Sequence, residues 1–439
     1  MAAATAFTGA AQAQSSVTVY GILDVGYTGG NATVNSRNTS NVGSTSSQTV
    51  SRISNSMESG SRLGFRGNED LGGGTSAQFT FELGIQPAGN AGSNPDGAAA
   101  GATGAGTWSP NVRQAFVGIS QKGMGQVRVG TQNSLFWEQA GSNTTGQLAQ
   151  TFGSLLAPST DGAFFNTTVL SATATSITNG AALGSYTART TNTINFRTER
   201  MAGVVVKGSY TLSNQNSNQT SPNAGNANWG ASGGYTGGTS NQSGYQAALD
   251  WNIQKANIQA SYASFKSQNP YGSLTAACSA TAAAGCNSST VSTAGGVTAW
   301  GSGTQGSNVI DNQALITASY DFGILRAYVG WTDRKMTSTI NSNQYAKRTA
   351  QEVGVRGYAT KTIEYWGSIG NGRYSSMGSA TVANPTANIT GYQVGSNYWM
   401  SKRTNLYAIY GANNTSNTSS ATIGSANLTQ YSVGVRHTF

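Results

Sequence analysis

The feature that most constrains this chain is an alternation of apolar and polar residues that recurs from residue 15 to the last position. In S-V-T-V-Y-G-I-L-D-V-G-Y, Val17, Val19, Leu23, Val25 and Tyr27 fall on one face and Thr18, Tyr20, Ile22 and Asp24 on the other. Leu63 and Phe65 are set against Arg62, Gly64 and Arg66, and Ala77, Phe79, Phe81 and Leu83 against Gln78, Thr80 and Glu82. The chain ends on Y-S-V-G-V-R-H-T-F in the same rhythm, with Phe439 as its final residue. A period of two puts successive side chains on opposite faces of an extended strand, so each segment reads as a strand with one apolar and one polar face. Sixteen such segments are present. Short connections near 69–74, 121–125, 199–203, 253–256, 321–323, 360–361 and 400–404 trade places with long polar ones near 28–58, 86–109, 133–189, 212–242, 267–308, 336–346, 374–389 and 413–427. Antiparallel neighbours joined by tight turns at one end and large loops at the other produce this pattern.

A sheet of this size must put its apolar face somewhere. A soluble sandwich turns it inward and leaves a charged face to water. Here only 9% of 439 residues are charged and 37% are apolar, against about 45–50% apolar in an ordinary soluble domain. A closed barrel in lipid reverses the arrangement, with the apolar face toward acyl chains and the polar face around a lumen. Closure is obligatory, because an unpaired N–H or C=O in hydrocarbon costs several kcal/mol. The terminal strand, 428–439, is therefore expected to pair with residues 15–28. The predicted fold is all-β: a sixteen-stranded antiparallel transmembrane β-barrel, with residues 14–439 as a single barrel domain carrying large loops, since no change of composition marks a boundary.

Parity tests this reading. A Lys or Arg facing lipid at mid-bilayer costs about 2–4 kcal/mol. Arg62, Arg66, Arg128, Arg197, Lys207, Arg326, Arg356 and Arg436 all fall on the inner face. His437, the sole histidine, falls on the outer face two residues from the end, where an interfacial position makes the cost small. Tyr20, Tyr27, Tyr210, Tyr262, Tyr320, Trp331, Trp366, Tyr398 and Trp399 lie near strand ends, as amphipathic rings at a water–lipid boundary do.

Other features narrow the function. The opening M-A-A-A-T-A-F-T-G-A-A-Q-A reads as the end of a secretory signal cut after Ala13, so residues 1–13 are left out of the fold. Cys278 and Cys286, the only cysteines, sit in a polar loop and fit a local disulfide in an oxidising compartment, with two free thiols as the alternative. They do not make a zinc site, which takes four ligands. The net charge of +9 is carried by 24 dispersed basic residues with no run of five, unlike a nucleic-acid binder. A lone histidine at a strand end leaves no Ser–His pair, and no G-K-[ST] phosphate loop is present. A solenoid adhesin would show a fixed repeat of roughly 20–30 residues; segment lengths here vary with loop size. No enzymatic activity, metal or cofactor is expected.

Particular segments carry a family resemblance: V-T-V-Y-G near the start, S-R-L-G-F-R-G-N-E-D-L-G-G-G-T-S-A-Q-F at 61–79, R-Q-A-F-V-G-I at 113–119, V-R-V-G-T-Q-N-S at 127–134 and the terminal Y-S-V-G-V-R-H-T-F. In these the chain resembles the trimeric Gram-negative general porins, most of all their beta-proteobacterial branch. The resemblance implies a homotrimer in outer-membrane lipid, a third long loop folded into the lumen, and a final aromatic, here Phe439, read by the outer-membrane assembly machinery. It also implies that Arg62 and Arg113 line the constriction. Arg113 shares its parity with Ala115, Val117 and Ile119, so turning it inward requires a bulge. Arg66 and Arg128 lie lower on the wall, Arg197 is a further lumen cation, and Glu138 and Asp161 are acids of the third loop, near 133–189.

Sixteen strands leave an aqueous bore rather than a packed interior. The expected function is passive diffusion of small hydrophilic solutes and ions with a weak preference for anions. The alternative is a substrate-specific anion channel, for phosphate or small carboxylates.

Overall fold

The computed structural model describes residues 16–37, 43–55, 57–87, 111–145, 153–156, 188–222, 235–268, 309–338, 345–376, 386–417 and 425–439. Residues 1–13, Asp161, Cys278 and Cys286 lie outside these. The described strands are β1 (Ser16–Arg37), β2 (Gly43–Asn55), β3 (Arg62–Gly72), β4 (Thr75–Gly84), β5 (Asn111–Gln121), β6 (Gly125–Asn133), β7 (Arg189–Thr198), β8 (Val204–Pro222) and β9 (Tyr235–Ile253). They continue as β10 (Ala256–Gln268), β11 (Val309–Asp321), β12 (Leu325–Ser338), β13 (Tyr345–Tyr358), β14 (Ile363–Ser376), β15 (Thr386–Trp399), β16 (Thr404–Asn417) and β17 (Ser425–Thr438). One short helix, α1 (Leu135–Ser142), follows β6.

Apart from β2 and β3, which both pair with β1, each strand pairs antiparallel with the next, and β17 returns to pair with β1, so the sheet closes. Seventeen segments make sixteen staves because β2 and β3 share one. The upper part of β1 pairs with β2 from Val25↔Asn55 to Arg37↔Gly43, and its lower part pairs with β3 from Ser16↔Asn68 to Ile22↔Arg62. The closing pair runs from Ile22↔Thr438 to Asn35↔Ser425. The last strand therefore meets residues 22–35, not 15–28: closing a barrel requires a stagger, and the first residues of β1 extend past the C-terminal strand toward β3. Phe439 completes the seam, with reciprocal backbone bonds of 3.1 Å between its N–H and carbonyl and those of Gly21.

The tight turns sit where the sequence places them. Gly72, Gly73 and Gly74 between β3 and β4, and Gly123 between β5 and β6, all have φ between 62° and 84°, a region that Cβ-bearing residues rarely occupy. The long connections are shorter than alternation indicates, because β1 runs on to Arg37, β2 begins at Gly43, β8 reaches Pro222 and β9 begins at Tyr235. In these extensions both faces are polar, so no apolar period marks them as strand.

Burial is inverted relative to a soluble protein. Val117 (64% exposed) and Ile369 (61%) lie on the outside, whereas Asp24, Glu364 and Asp311 are fully buried. Both observations follow from an apolar exterior band and a polar interior. Three of the nine aromatics assigned to the boundary turn inward instead. Trp366 packs inside with Met57, Tyr407 and Ile409; Trp399 donates its indole N–H to Glu364 at 3.1 Å; Tyr20 donates its hydroxyl to Glu82 at 3.0 Å. All three share the parity of inward acids or amides: Tyr20 with Asp24, Trp366 with Glu364 and Trp399 with Asn397. His437 is on the outside, its Nδ1 2.8 Å from the Thr404 hydroxyl.

Val394 is exposed on the outer face of β15, between Tyr392 and Tyr398. Val394→Arg is expected to destabilise the barrel by about 2–4 kcal/mol, and Val394→Leu to be nearly neutral, in denaturant unfolding from phospholipid vesicles.

Candidate functional site

The site is the inner wall and the segment that covers part of it. On β4 and β5 the register steps from Glu82↔Gln114 to Leu83↔Val112, which makes Arg113 the extra residue of a bulge. The bulge turns Arg113 off the outward row of Val117 and Ile119 and into the lumen wall, where its Nε donates to Glu82 Oε1 at 2.6 Å. Arg62 on β3 lies 3.9 Å from the same oxygen, and Tyr20 donates to Glu82 Oε2. One carboxylate thus serves two guanidinium groups and a phenol. Arg189 at the start of β7 is near enough for its charge to act on both arginines. Arg66 lies lower, its guanidinium 5.4 Å from the centre of the Tyr20 ring.

A second cluster surrounds α1. The helix begins at a Ser134 N-cap, whose hydroxyl accepts from the Trp137 N–H at 3.0 Å. Glu138 lies in its first turn, where the helix dipole favours a carboxylate. Arg197 on β7 donates to both Glu138 oxygens at 2.7 and 2.9 Å, and Lys207 on β8 donates to Oε2 at 3.1 Å. Arg128 on β6 packs over the Phe116 ring at 4.9 Å and donates to Gln126. Glu138 therefore meets the lower cations, Arg197 and Lys207, rather than Arg62 and Arg113. Burial would raise its carboxyl, but the two cations outweigh that and hold it below the ordinary carboxylate range.

The described parts of the third long connection lie against the inner face. Leu135 N–H donates to Gln246 of β9, and the Gln139 amide donates to the carbonyls of Gln259 (β10) and Leu315 (β11) and to the Thr317 hydroxyl. Phe136 and Ala140 pack with Leu156 and Leu315. Further along, Ser154 and the Leu155 N–H donate to Glu352 of β13, and Arg348 donates to the Leu155 carbonyl at 2.6 Å. The connection thus reaches from β6 round the interior past β13, and a Cβ on Gly391 of β15 would strike the Gly153 carbonyl. Its described parts lie against the inner face from β7 to β15.

Sequence reasoning missed Glu58 and Arg189, which lie in stretches read as connection, and Asp311, Arg334 and Arg348, which lie just beside such stretches. Arg334 and Asp311 form a buried pair at 2.7 Å. Parity carried a signal for two of them. Arg334 shares the even face of Arg326, and Arg348 that of Arg356.

A closed antiparallel barrel with an apolar exterior, a charged interior and an internal loop is an outer-membrane β-barrel with a lumen built to stay wet. The chain belongs to the Gram-negative porin family, whose model matches residues 1–294, and its place is the cell outer membrane. It is 35% identical to an outer membrane porin protein of Bordetella pertussis over 138 residues, 31% of this chain and 33% of that protein. The match thus spans about a third of the curated relative's length. Among solved structures, the anion-selective porin from Comamonas acidovorans has a TM-score of 0.55 at 18% identity, over 97% of this chain and 100% of that one. A loop L8 deletion mutant of OmpT from Vibrio cholerae has a TM-score of 0.54 at 14% identity, over 97% and 99%. At these identities the likeness is one of fold.

Because Glu138 titrates below its ordinary range when docked, its contribution is present above the unfolded-state value and is lost as pH falls through the docked one. Amides of α1 are expected to lose hydrogen-exchange protection, relative to the strands, between about pH 7 and about pH 3. Glu138→Gln should flatten that dependence.

Proposed function

We propose that this protein forms a water-filled channel through the outer membrane for passive diffusion of small hydrophilic solutes and ions, with a weak preference for anions. One observation carries the preference. Seven basic side chains (Arg62, Arg66, Arg113, Arg128, Arg189, Arg197 and Lys207) stand on the adjacent strands β3–β8; the carboxylates paired with them are Glu82 and Glu138, and Glu69 and Asp70 lie at the turn end of β3. On the rest of the wall several cations have a carboxylate partner: Arg334 with Asp311, Arg356 with Glu364, Lys347 with Asp333 and Arg436 with Glu58. A single charge at ~8 Å through water is worth about 0.5 kcal/mol before screening, so several acting together give about 1–2 kcal/mol. That favours anions several-fold without excluding cations. The like-folded porin from Comamonas acidovorans is itself anion-selective. Zero-current potentials across a bilayer in a salt gradient test the reading; a cation preference would refute it.

The two basic clusters, one above the other, also favour a second reading, a channel specific for phosphate or small carboxylates. Concentration-dependent block of single-channel current by those anions is the outcome that selects it.

The exterior supports a homotrimer. Strands β3–β7 contain no Tyr or Trp, whereas β8–β17 and β1 carry outward rings such as Tyr210, Tyr262, Tyr320, Trp331, Tyr398, Tyr431 and Tyr27. Rings of this kind settle at lipid headgroups, so the bare sector suits contact with another copy of the chain. A groove of about 520 Å³ lies there, lined by Val17, Gly67, Ala77, Phe79, Val117 and Ile119 among others. Val117→Arg is expected to convert an SDS-resistant oligomer on unheated gels to monomer while leaving the heat-sensitive barrel intact.

A further inference from the structure

Between β2 and β3 the chain leaves the wall. Val25 pairs with Asn55 and Ile22 with Arg62, so the two β1 residues between them face six on the partner stave, 56–61. The described part, Met57–Ser61, folds into the lumen across the inner face of β1 and docks on strands far away in sequence. Met57 is fully buried against Trp366, Tyr407 and Ile409. Asp24 Oδ2 accepts the backbone N–H groups of Glu58 and Ser59 at 2.8 and 2.7 Å, and Tyr407 donates to Asp24 Oδ1 at 2.7 Å. Glu58, 1% exposed, accepts from Asn397 at 2.8 Å and Asn405 at 2.9 Å, with Arg436 at 3.4 Å. These are charge-assisted bonds in a site closed to water, so the strap is held in one place.

The far end of the strap holds Arg62. Its Nε donates to the Gly60 carbonyl at 3.0 Å, and a terminal nitrogen donates to the Ser59 hydroxyl at 2.9 Å. The other terminal nitrogen stands 3.9 Å from Glu82, a carboxylate that Arg113 already binds at 2.6 Å. The Arg62 side chain keeps 23% of its surface open while Arg113 and Glu82 are closed off. Arg62 is thus held short of full contact with Glu82 and open to the lumen.

We infer that the Met57–Ser61 strap is a second internal element of the pore, beside the third loop, and that Glu58 is a positioning residue that sets ion selectivity by fixing where Arg62 presents its charge. This rests on the channel reading above. Without the strap, Arg62 closes on Glu82, its charge is matched, and the pull on anions falls. The sign separates this role from a direct one. Removing a negative charge at Glu58 would, by Coulomb's law alone, strengthen the preference for anions.

Zero-current potentials in planar bilayers under a salt gradient test the strap, using wild type, Arg62→Ala, Glu58→Gln, Ser59→Ala and Glu58→Gln combined with Arg62→Ala. Arg62→Ala is expected to lower the anion-to-cation permeability ratio about twofold. Glu58→Gln and Ser59→Ala should lower it part of the way, and Glu58→Gln should add nothing once Arg62 is gone. A ratio that rises in Glu58→Gln, an effect that persists in the double variant, or wild-type selectivity in Arg62→Ala or in both strap variants overturns the proposal. If Glu58→Gln does not fold, Ser59→Ala decides, since it leaves the buried acids in place. Absence of channels from wild type would overturn the pore reading itself, and the strap's role with it.

Discussion

Every other property of this molecule depends on the requirement that no backbone N–H or C=O face hydrocarbon unpaired. A sheet meets it only by joining its two edges, and β1 and β17 do so along fourteen pairs from Ile22↔Thr438 to Asn35↔Ser425. Once the ladder is closed, the side chains have two environments and no third. Outward positions must be apolar, and inward ones are free to be anything that water or a partner satisfies. The exposed Val, Ile and Tyr rows and the buried Asp24, Glu82 and Arg113 are two results of that one condition.

The interior is divided in turn. From β9 to β17 Arg334, Lys347, Arg356 and Arg436 have carboxylate partners, and the loop carrying α1 and Leu155 is bonded to the wall through Gln139, Glu352 and Arg348. Buried ion pairs contribute little net stability, since desolvation offsets their attraction, but they fix geometry because breaking one leaves a charge stranded. From β3 to β8 the cations outnumber their partners. The positive charge of the described lumen is therefore concentrated on one side.

How much of this was legible follows from where the lipid acts. Within the bilayer the apolar face is enforced, so strand number, the seven tight turns and the inward basic residues could be read from parity. Above it both faces are wet. T-G-G-N-A-T-V-N-S-R in β1 and S-N-Q-N-S-N-Q-T-S-P in β8 look like loop although they pair as strand. Arg113 was visible only as a conflict of parity, and the register shift at Glu82 shows how the chain resolves it. The strap was not legible at all. M-E-S-G carries no local sign that Glu58 meets Asn397 and Asn405, 339 and 347 residues away. The inward rings of Trp366 and Trp399, by contrast, follow the parity of Glu364 and Asn397, which their nearness to strand ends obscured.

The seam has a consequence for how the molecule comes into being. Thr28 and Ser432, joined through their hydroxyls at 3.0 Å, are 404 residues apart. Contacts of such separation form last, since the entropy of closing so long a loop must be met before they return anything. Until β17 reaches β1, the sheet is a curled ribbon with two adhesive borders.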